Sequence, residues 1–262
     1  MGTSDPAHIP FKDHFSRHAE LYRRYRPAWP PEVFAWLATL TPAHACAWDV
    51  GTGSGQAALG LAAHFSEVVA SDASATQIAH AEPHPSVSYL VASAEASGLD
   101  AGSVDLVLAA QAFHWFDFER FFAECRRVLR PATAEVSSGV VAALTYLHPT
   151  VDVAIDAALL RYIDHVRADW PPERRFVDAG YANAPFPFAE LTVPRNMALA
   201  LDLDLDGFFG YLATWSAAQR YRERTGLDPR RDFASDIASA WGDPDQRRHV
   251  RWPVAGRVGH IG

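Results

Sequence analysis

Three glycines alternate with small polar residues in the segment Trp48-Asp-Val-Gly-Thr-Gly-Ser-Gly55, where an apolar run passes into a helical pattern. Glycine reaches left-handed backbone conformations and lets a ligand approach the backbone closely, and the start of the following helix presents N–H groups without partners. Gly51, Gly53 and Gly55 therefore predict a ligand-binding turn. A carboxylate, Asp49, stands just before it.

The residues around this turn favour one kind of ligand. A dinucleotide fingerprint needs a glycine at position 56, where this chain has Gln56, and no phosphate-binding lysine follows. Asp49 can pair with a cationic amine, which S-adenosylmethionine carries and a pyrophosphate cofactor lacks. A second acid, Asp72, ends the next predicted strand and could accept both hydroxyls of a ribose. The alternative for Asp72 is a cap on the helix that begins near Ser74.

The elements that position these acids alternate along the chain between Cys46 and Tyr146. Short apolar runs separated by helical patterns predict βαβ units and a parallel sheet covered on both faces. The predicted strands are Ala45–Val50, Glu67–Ser71, Val87–Ala92, Asp105–Ala110 and Val140–Tyr146, and the predicted helices cover Gln56–Phe65, the segment after Ser74 and the segment after Asp117. After Pro149, aromatic-rich helical patterns cover Val151–Val166 and Phe208–Arg222, and Arg247–Gly259 predicts edge strands.

Several motifs follow one another in a familiar order. They are Asp49-Val-Gly-Thr-Gly-Ser-Gly55, Asp72, Ser93-Ala94-Glu95, Ser103-Val-Asp105-Leu-Val and Arg126-Arg-Val-Leu-Arg-Pro131. In this order they resemble class I S-adenosylmethionine-dependent methyltransferases. A further set resembles the branch that includes trans-aconitate methyltransferase-like proteins: Phe15-Ser-Arg-His-Ala-Glu-Leu-Tyr22, Tyr25-Arg-Pro27, Gln111-Ala-Phe-His-Trp-Phe-Asp117, Thr214-Trp-Ser216 and Arg251-Trp-Pro253. The segment Ala132–Ser138 departs from the family, because the usual Gly-Gly after Pro131 is absent.

The resemblance, which covers nearly the whole chain, implies a fold and a division of the chain. The fold is α/β, a Rossmann-like, doubly wound, mostly parallel sheet of seven strands with an aromatic-rich helical insertion after the fifth. One methyltransferase domain spans residues 1–262, with an N-terminal lid at 1–40, a cofactor-binding half at 41–146, a substrate cap at 147–246 and C-terminal edge strands at 247–262.

The resemblance also implies a set of cofactor contacts. S-adenosylmethionine would be converted to S-adenosylhomocysteine at a site whose contacts are Asp49, Gly51, Thr52, Gly53 and Gly55 for the methionine part, Asp72 and Ala73 for the ribose, Ser93, Ala94 and Glu95 for the adenine, and Gln111 for the methionine tail. Tyr22 and Arg26 would hold the cofactor carboxylate or close the site. The alternative for Tyr22 is lid packing, and for Arg26 a surface ion pair.

The acceptor side offers one candidate base and several candidate walls. His114 follows the fourth strand and has a near-neutral reference pKa, so it could take a proton from a hydroxyl or an amine, whereas a carboxylate acceptor needs no base. The alternative is that His114 positions the Trp115 ring or binds a backbone carbonyl. The candidate walls are Trp115, Tyr146, Trp170, Tyr211 and Trp215. Tyr211, Trp215 and Gln219 share a spacing of four, which is also typical of a helix core.

Composition limits the remaining classes. The chain has 262 residues, a net charge of −8, eight tryptophans, two cysteines and, among 23 basic residues, one lysine, Lys12. These values exclude disorder and disfavour binding to nucleic acid, and no apolar run reaches the ~18 residues of a membrane span. No metal-ligand motif is present; Arg220 or Arg222 could pair with an anionic substrate.

The functional prediction is accordingly a cytoplasmic S-adenosylmethionine-dependent methyltransferase. The predicted acceptor is a small molecule methylated at a carboxylate oxygen. No nucleic-acid or membrane partner is expected, and the predicted state is a monomer or homodimer. The alternatives are a non-catalytic S-adenosylmethionine-binding protein and, third, an NAD-dependent oxidoreductase.

Overall fold

The computed structural model describes residues 25–134 and 137–261. An eight-stranded sheet forms the centre of this part of the chain. Its strands are β1 (Cys46–Val50), β2 (Glu67–Asp72), β3 (Val87–Val91), β4 (Leu106–Ala110), β5 (Val140–Tyr146), β6 (Ala189–Leu191), β7 (Ala198–Leu203) and β8 (Arg248–His260). Their order is β3-β2-β1-β4-β5-β8-β6, with β7 paired to β8 beside this path. Strands β1 to β5 are parallel, so the prediction of a mostly parallel, Rossmann-like sheet is confirmed.

Nine helices are described. They are α1 (Pro31–Leu40), α2 (Gln56–Leu61), α3 (Ala75–Ala79), α4 (Phe118–Val128), α5 (Val153–Val166), α6 (Arg174–Asp178), α7 (Leu205–Ala213), α8 (Ser216–Thr225) and α9 (Ala234–Trp241). Side-chain caps begin α3 and α4, where the Ser74 hydroxyl accepts a hydrogen bond from the N–H of Gln77 and Asp117 accepts one from the N–H of Arg120. Within residues 25–134 and 137–261, no helix is long and apolar enough to cross a membrane.

The sheet is buried on both faces because alternate residues of its central strands point to opposite sides. In β5, Ala142 and Leu144 join the core formed with α1, α2, α5 and α7 to α9, whereas Val141 and Ala143 join the core formed with α4 and α6. The strand order reverses direction between β1 and β4. In open α/β sheets, ligands bind outside the carboxyl ends of the strands at this point.

The C-terminal segment differs from the prediction of edge strands. Residues 248–260 form a single strand, β8, and its second half lies between β5 and β6, where Ala142 pairs with Val258 and Leu191 pairs with the same residue from the other side. Its first half pairs with β7, where Pro253 lies opposite Ala198. The sequence was ambiguous because a proline near the middle of the segment is typical of an edge.

The segment 147–246 also differs from a purely helical insertion, because it contains β6 and β7. The predicted helix Phe208–Arg222 is two helices, α7 and α8, separated at Thr214 and Trp215. Trp215 has an extended backbone, with φ −71° and ψ 133°, and stands at the N-cap of α8. The prediction that Tyr211, Trp215 and Gln219 share one helix face is therefore wrong. The predicted helix Gln56–Phe65 is shorter and ends at Leu61.

Asp105 and Arg130, which belong to two of the motifs quoted above, form an ion pair. Asp105, fully buried, accepts hydrogen bonds from the N–H groups of Ala45 and Cys46 and pairs with Arg130 at 2.7 Å. The N–H of Gly139 donates to the carbonyl of Arg130 at 2.8 Å. This hydrogen bond joins residues on either side of the unusual segment Ala132–Ser138, which lies between α4 and β5 in the sequence.

Candidate cofactor and acceptor site

The glycine turn, residues Gly51–Gly55, follows β1 and holds its three alternating glycines in the left-handed region, with φ of 68° at Gly51, 58° at Gly53 and 90° at Gly55. A Cβ on Gly51 would lie 2.5 Å from the Cβ of Ala112, and one on Gly55 would lie 2.5 Å from the Tyr89 hydroxyl. A Cβ on Gly53 would meet nothing within 4 Å. Crowding therefore requires the outer two glycines, whereas the middle one faces open space.

Asp49 lies in β1, fully buried, beneath this turn. Its Oδ2 accepts a hydrogen bond from the Thr52 hydroxyl, whereas Oδ1 has no hydrogen-bond partner in the described residues. Burial raises the pKa of Asp49 to about 7, against the opposing effects of the Thr52 hydroxyl and the Ala58 backbone N–H. A buried carboxylate oxygen without a partner is costly, and a cation beside it would favour the ionised form. The residue thus fits a ligand that brings a positive charge.

Asp72 ends β2 and faces the glycine turn, as predicted. Its Oδ2 accepts the N–H of Gly53 at 2.9 Å, and its Oδ1 accepts the N–H of Ser74 at 2.8 Å. The second contact holds the residue that caps α3, so the alternative of a role at this helix start is also observed. Because a carboxylate oxygen can accept more than one hydrogen bond, these contacts fix Asp72 without excluding hydroxyl ligands. Ala73 continues the backbone between the two contacts.

The segment predicted to meet the adenine forms a turn after β3. Ala94 is buried, Ser93 is exposed and Glu95 is half-buried. The Glu95 carboxylate accepts the N–H of Asp117 at 3.0 Å, at the N-cap of α4. The turn is therefore held against the start of α4 by the acidic side chain that the sequence singled out.

Gln111 follows β4 directly and has a backbone φ of 60°, in the left-handed region. Its N–H donates to the carbonyl of Leu144 at 2.8 Å. Its side-chain oxygen accepts a hydrogen bond from the Thr145 hydroxyl at 2.8 Å, and its amide nitrogen donates to the carbonyl of Tyr146 at 3.3 Å. Non-glycine residues in this conformation are strained and cluster at functional sites. Contacts with the end of β5 hold Gln111 in place.

The position of His114 argues against the predicted role as a base. Its Nδ1 lies 3.0 Å from the Tyr181 hydroxyl, and its ring centroid lies 4.7 Å from that of Trp115. Burial, with the nearby charge of Arg174, lowers the pKa of His114 to about 3. A general base is effective when its pKa is near the working pH, so a near-neutral proton acceptor is not what the environment produces. The contact with Trp115 agrees with the alternative of a positioning role.

Four of the five predicted wall residues come together as one aromatic group: Tyr146, Trp170, Tyr211 and Trp215. The Trp215 ring centroid lies 5.5 Å from that of Trp170 and 5.8 Å from that of Tyr211. Tyr146 joins this group through Arg26, whose cation lies 5.3 Å from the centroid of the Tyr211 ring. Trp115 lies instead beside His114.

Arg26 connects the N-terminal segment with the acceptor side. Its Nε donates to the Thr214 hydroxyl at 2.8 Å, and its Nη1 donates to the Tyr146 hydroxyl at 2.9 Å. Its guanidinium therefore crosses from the end of β5 to the break between α7 and α8. Tyr22, predicted beside it, lies outside the described residues.

A cluster around Arg174 was missed in the sequence. Its guanidinium lies 4.3 Å from the ring centroid of Trp170, donates to Asp178 at 2.7 Å and approaches His148 Nε2 at 3.3 Å. Burial lowers the pKa of His148, against the opposing contact with Asp178. Arg174 and Asp178 lie in α6, and His148 lies just after β5. No periodic pattern in the sequence indicates that they meet. The one sequence feature that could have pointed to them is the turn Trp170-Pro171-Pro172 before α6.

The two arginines that the sequence offered as partners of an anionic substrate have acidic neighbours within the protein. Arg222 pairs with Asp228 at 2.7 Å, and Arg220 lies near Asp169. Across residues 25–134 and 137–261, no group of three or more His, Cys, Asp or Glu side chains could hold a metal ion.

Comparisons with known proteins show which family this chain resembles. A family profile described as a methyltransferase domain matches residues 48–134. A solved structure from Anaeromyxobacter dehalogenans, described as a candidate type II methyltransferase, is 47% identical, with a TM-score of 0.83 over 90% of this chain and 98% of that one. A candidate methyltransferase of Dictyostelium discoideum is 28% identical over 94% of this chain and 92% of its own length. An uncharacterized methyltransferase of Mycobacterium tuberculosis is 40% identical over 42% of this chain and 45% of its own length.

The chain belongs to the class I S-adenosylmethionine-dependent methyltransferases. Its cofactor is S-adenosylmethionine. The matched region spans β1 to the end of α4 and contains the glycine turn, Asp49 and Asp72.

Proposed function

We propose that the protein transfers the methyl group of S-adenosylmethionine to a carboxylate oxygen of a small molecule. The observation that carries the cofactor part is the unpartnered Oδ1 of buried Asp49, beneath a turn whose middle residue, Gly53, faces open space. In this proposal Asp49 pairs with the cofactor amine and Asp72 accepts its ribose hydroxyls. Ser93, Ala94 and Glu95 surround the adenine, and Gln111 lines the methionine tail.

When bound, the cofactor supplies a methyl group activated by a positively charged sulfur. The protein's own task is then to orient the acceptor and keep the site dry. We assign the orientation to the aromatic group and to Trp115, which supply flat apolar surfaces next to the ends of β4 and β5.

A carboxylate acceptor is supported by charge and by basicity. Two arginines, Arg26 and Arg174, stand on the acceptor side, and guanidinium groups bind carboxylates well. A carboxylate also carries no proton to remove, which agrees with the lowered pKa of His114. A protic acceptor would need a stronger base than this histidine supplies.

The cytoplasm is the proposed compartment, in line with two free cysteines, Cys46 and Cys125.

Calorimetry with S-adenosylmethionine tests the cofactor contacts. Asp72→Ala should weaken binding by on the order of a hundredfold, because hydrogen bonds to a charged group contribute ~1.5–3 kcal/mol each. Asp245→Asn removes an exposed carboxylate far along the chain and should leave binding unchanged. Unchanged binding after Asp72→Ala would rule out the proposed ribose contact.

A panel of small carboxylic acids, with matched alcohols and amines, tests the acceptor. Release of S-adenosylhomocysteine together with a methyl ester is the expected result, measured by mass spectrometry. Methylation confined to the alcohols or amines would exclude the carboxylate while leaving the methyl transfer itself intact. Cofactor binding without any turnover would instead favour a non-catalytic binding protein.

A further inference from the structure

The Tyr146 hydroxyl is hydrogen-bonded through its oxygen only. Tyr146 ends β5 and is 5% exposed. Its oxygen accepts a hydrogen bond from Nη1 of Arg26 at 2.9 Å, and because a guanidinium only donates, this bond does not use the phenol hydrogen. Within the part of the chain that the structure describes, no group accepts that hydrogen. A buried donor without a partner is costly, so the hydrogen is available to a ligand.

The surroundings of this hydroxyl place it on the acceptor side of the site. The carbonyl of Tyr146 accepts a hydrogen bond from the Gln111 amide at 3.3 Å, which ties the end of β5 to the residue after β4. The Trp29 ring meets the Tyr146 ring edge-on, with centroids 5.9 Å apart. The hydroxyl therefore lies among aromatic rings at the carboxyl ends of two parallel strands, where open α/β sheets bind their ligands.

Arg26 determines which kind of ligand the hydroxyl favours. On its other side this arginine is held by Thr214, whose hydroxyl accepts from Nε at 2.8 Å and whose carbonyl accepts from Nη2 at 3.4 Å. The guanidinium is thus fixed against the phenol oxygen. A hydroxyl that accepts a hydrogen bond from a cation is polarised and donates more strongly, and its bond to an ionised oxygen is stronger than one to a neutral oxygen.

We propose that the Tyr146 hydroxyl binds the methyl acceptor by donating its hydrogen to one carboxylate oxygen, and that Arg26 is a positioning residue that acts through this hydroxyl. The assignment rests on the proposed function, in which the methyl acceptor is a carboxylate. A phenol has a single hydrogen, so Tyr146 holds one oxygen of the carboxylate and leaves the other for methylation.

Binding of small acids tests the assignment without turnover, so its failure is distinct from a failure of the proposed methyl transfer. The probes are acetate, cyclohexanecarboxylate and benzoate, each with its primary amide, which has a similar shape without the charge. They are titrated into protein saturated with S-adenosylhomocysteine, and the tryptophan indole signals in NMR report binding. At least one acid should bind more tightly than its amide. If no acid does so, the proposal is overturned.

Tyr146→Phe removes the hydroxyl and keeps the ring. Affinity for the acid should fall by roughly tenfold or more, and affinity for its amide by a smaller factor, because a hydrogen bond to a charged group is the stronger one. Tyr221→Phe, at a half-buried tyrosine of α8, should leave both affinities unchanged. Equal losses for acid and amide would mean that the hydroxyl only supports the pocket. Weaker binding of S-adenosylhomocysteine with unchanged binding of the acid would place the hydroxyl in the cofactor site. Either result contradicts the proposal.

Arg26→Met tests whether the arginine acts through the hydroxyl. It also gives an independent measurement should Tyr146→Phe fail to fold, which circular dichroism reports. Arg26→Met should lower the affinity for the acid and leave that for its amide nearly unchanged. In the double variant with Tyr146→Phe it should cost little more, since two residues that act as one unit have non-additive effects. Unchanged affinity for the acid in folded Arg26→Met, or losses that add in the double variant, would overturn the role of Arg26.

Discussion

The carboxyl ends of β1 and β2 and those of β4 and β5 form two halves of one site with opposite character. The first half carries two carboxylates, Asp49 and Asp72, and Asp72 accepts backbone N–H groups from Gly53 in the glycine turn and from Ser74 after β2. The second half carries Arg26 and Arg174, aromatic rings and neutral histidines from distant segments. Arg26 and Thr214, for example, are 188 positions apart. Local sequence forms the acidic half, whereas tertiary packing forms the half with the arginines and the aromatic rings.

The largest expected effect comes from Gly51→Ala in the first half. A left-handed alanine costs ~1–2 kcal/mol and overpacking ~1–3 kcal/mol, so the free energy of unfolding should fall by about 2–5 kcal/mol in denaturant titrations. Gly226→Ala is the control, because Gly226 has a φ of +74° and open space around a Cβ. The free energy of unfolding of Gly226→Ala should fall only by the cost of a left-handed alanine, ~1–2 kcal/mol. Equal losses in the two variants would show that the contact with Ala112 does not matter.

The next effect concerns the second half. Arg26→Met should lower the free energy of unfolding by about 2 kcal/mol, since two or more hydrogen bonds worth ~0.5–1.5 kcal/mol each are lost. Affinity for S-adenosylmethionine in calorimetry should change little, because Arg26 contacts Tyr146, Thr214 and the Tyr211 ring on the acceptor side.

Arg161→Met is the control for this variant, as Arg161 makes an exposed pair with Asp236 that should contribute under ~1 kcal/mol. A loss of cofactor affinity of roughly tenfold or more in Arg26→Met, ~1.4 kcal/mol, would show that Arg26 contributes to cofactor binding. The division of the site into two halves would then not hold for this residue.

Gly53→Ala tests whether the open space at the turn serves the ligand. Its cost in unfolding free energy should match that of Gly226→Ala at ~1–2 kcal/mol, because both residues have left-handed backbones without crowding. Only Gly53→Ala should weaken binding of S-adenosylmethionine, by about tenfold in calorimetry if one contact of ~1.4 kcal/mol is lost. Unchanged affinity would mean that the space above Gly53 lies outside the cofactor site.

The smallest effect is a pH dependence. The pKa of Asp49 is raised to about 7 in the free protein, so below this pH a bound cation must first displace a proton. The α-amino group of the cofactor itself loses its proton near ~7.7–8.0, so linkage predicts that binding at pH 6 is weaker than at pH 7.5 by roughly fivefold to sixfold. Asp49→Asn should show weaker binding that does not vary over this range. A flat profile in the unmodified protein would mean that Asp49 is already ionised.

The raised pKa of Asp49 also determines how the stability of the folded protein changes with pH. Between the ordinary pKa of Asp49 and about 7 the folded state binds the proton that the unfolded state has lost. Asp49 therefore makes the protein less stable as the pH rises through this window, and its contribution is constant above it.

What the sequence could predict follows the division of the site. Asp49 and Asp72 contact Thr52, Gly53 and Ser74, at most 19 positions away, so residue types and spacing were enough to predict that the two acids lie beside the turn. The aromatic group was predicted by composition, but the break at Trp215 was not, because a spacing of four is equally compatible with one helix and with two. The pKa of His114 depends on the burial of its ring and on Arg174, which lies 60 positions away, and no local pattern encodes that environment.

The place of β8 within the sheet has a consequence for synthesis on the ribosome. All seven residues of β5 are buried, and one edge of this strand is covered only by residues 254–260. A chain emerging from its N-terminal end completes β1 to β5 more than a hundred residues before it can supply their neighbour. Unpaired apolar edges promote pairing between chains, so the nascent protein is most prone to aggregate during this interval, and chaperones that shield exposed strands should act on it then.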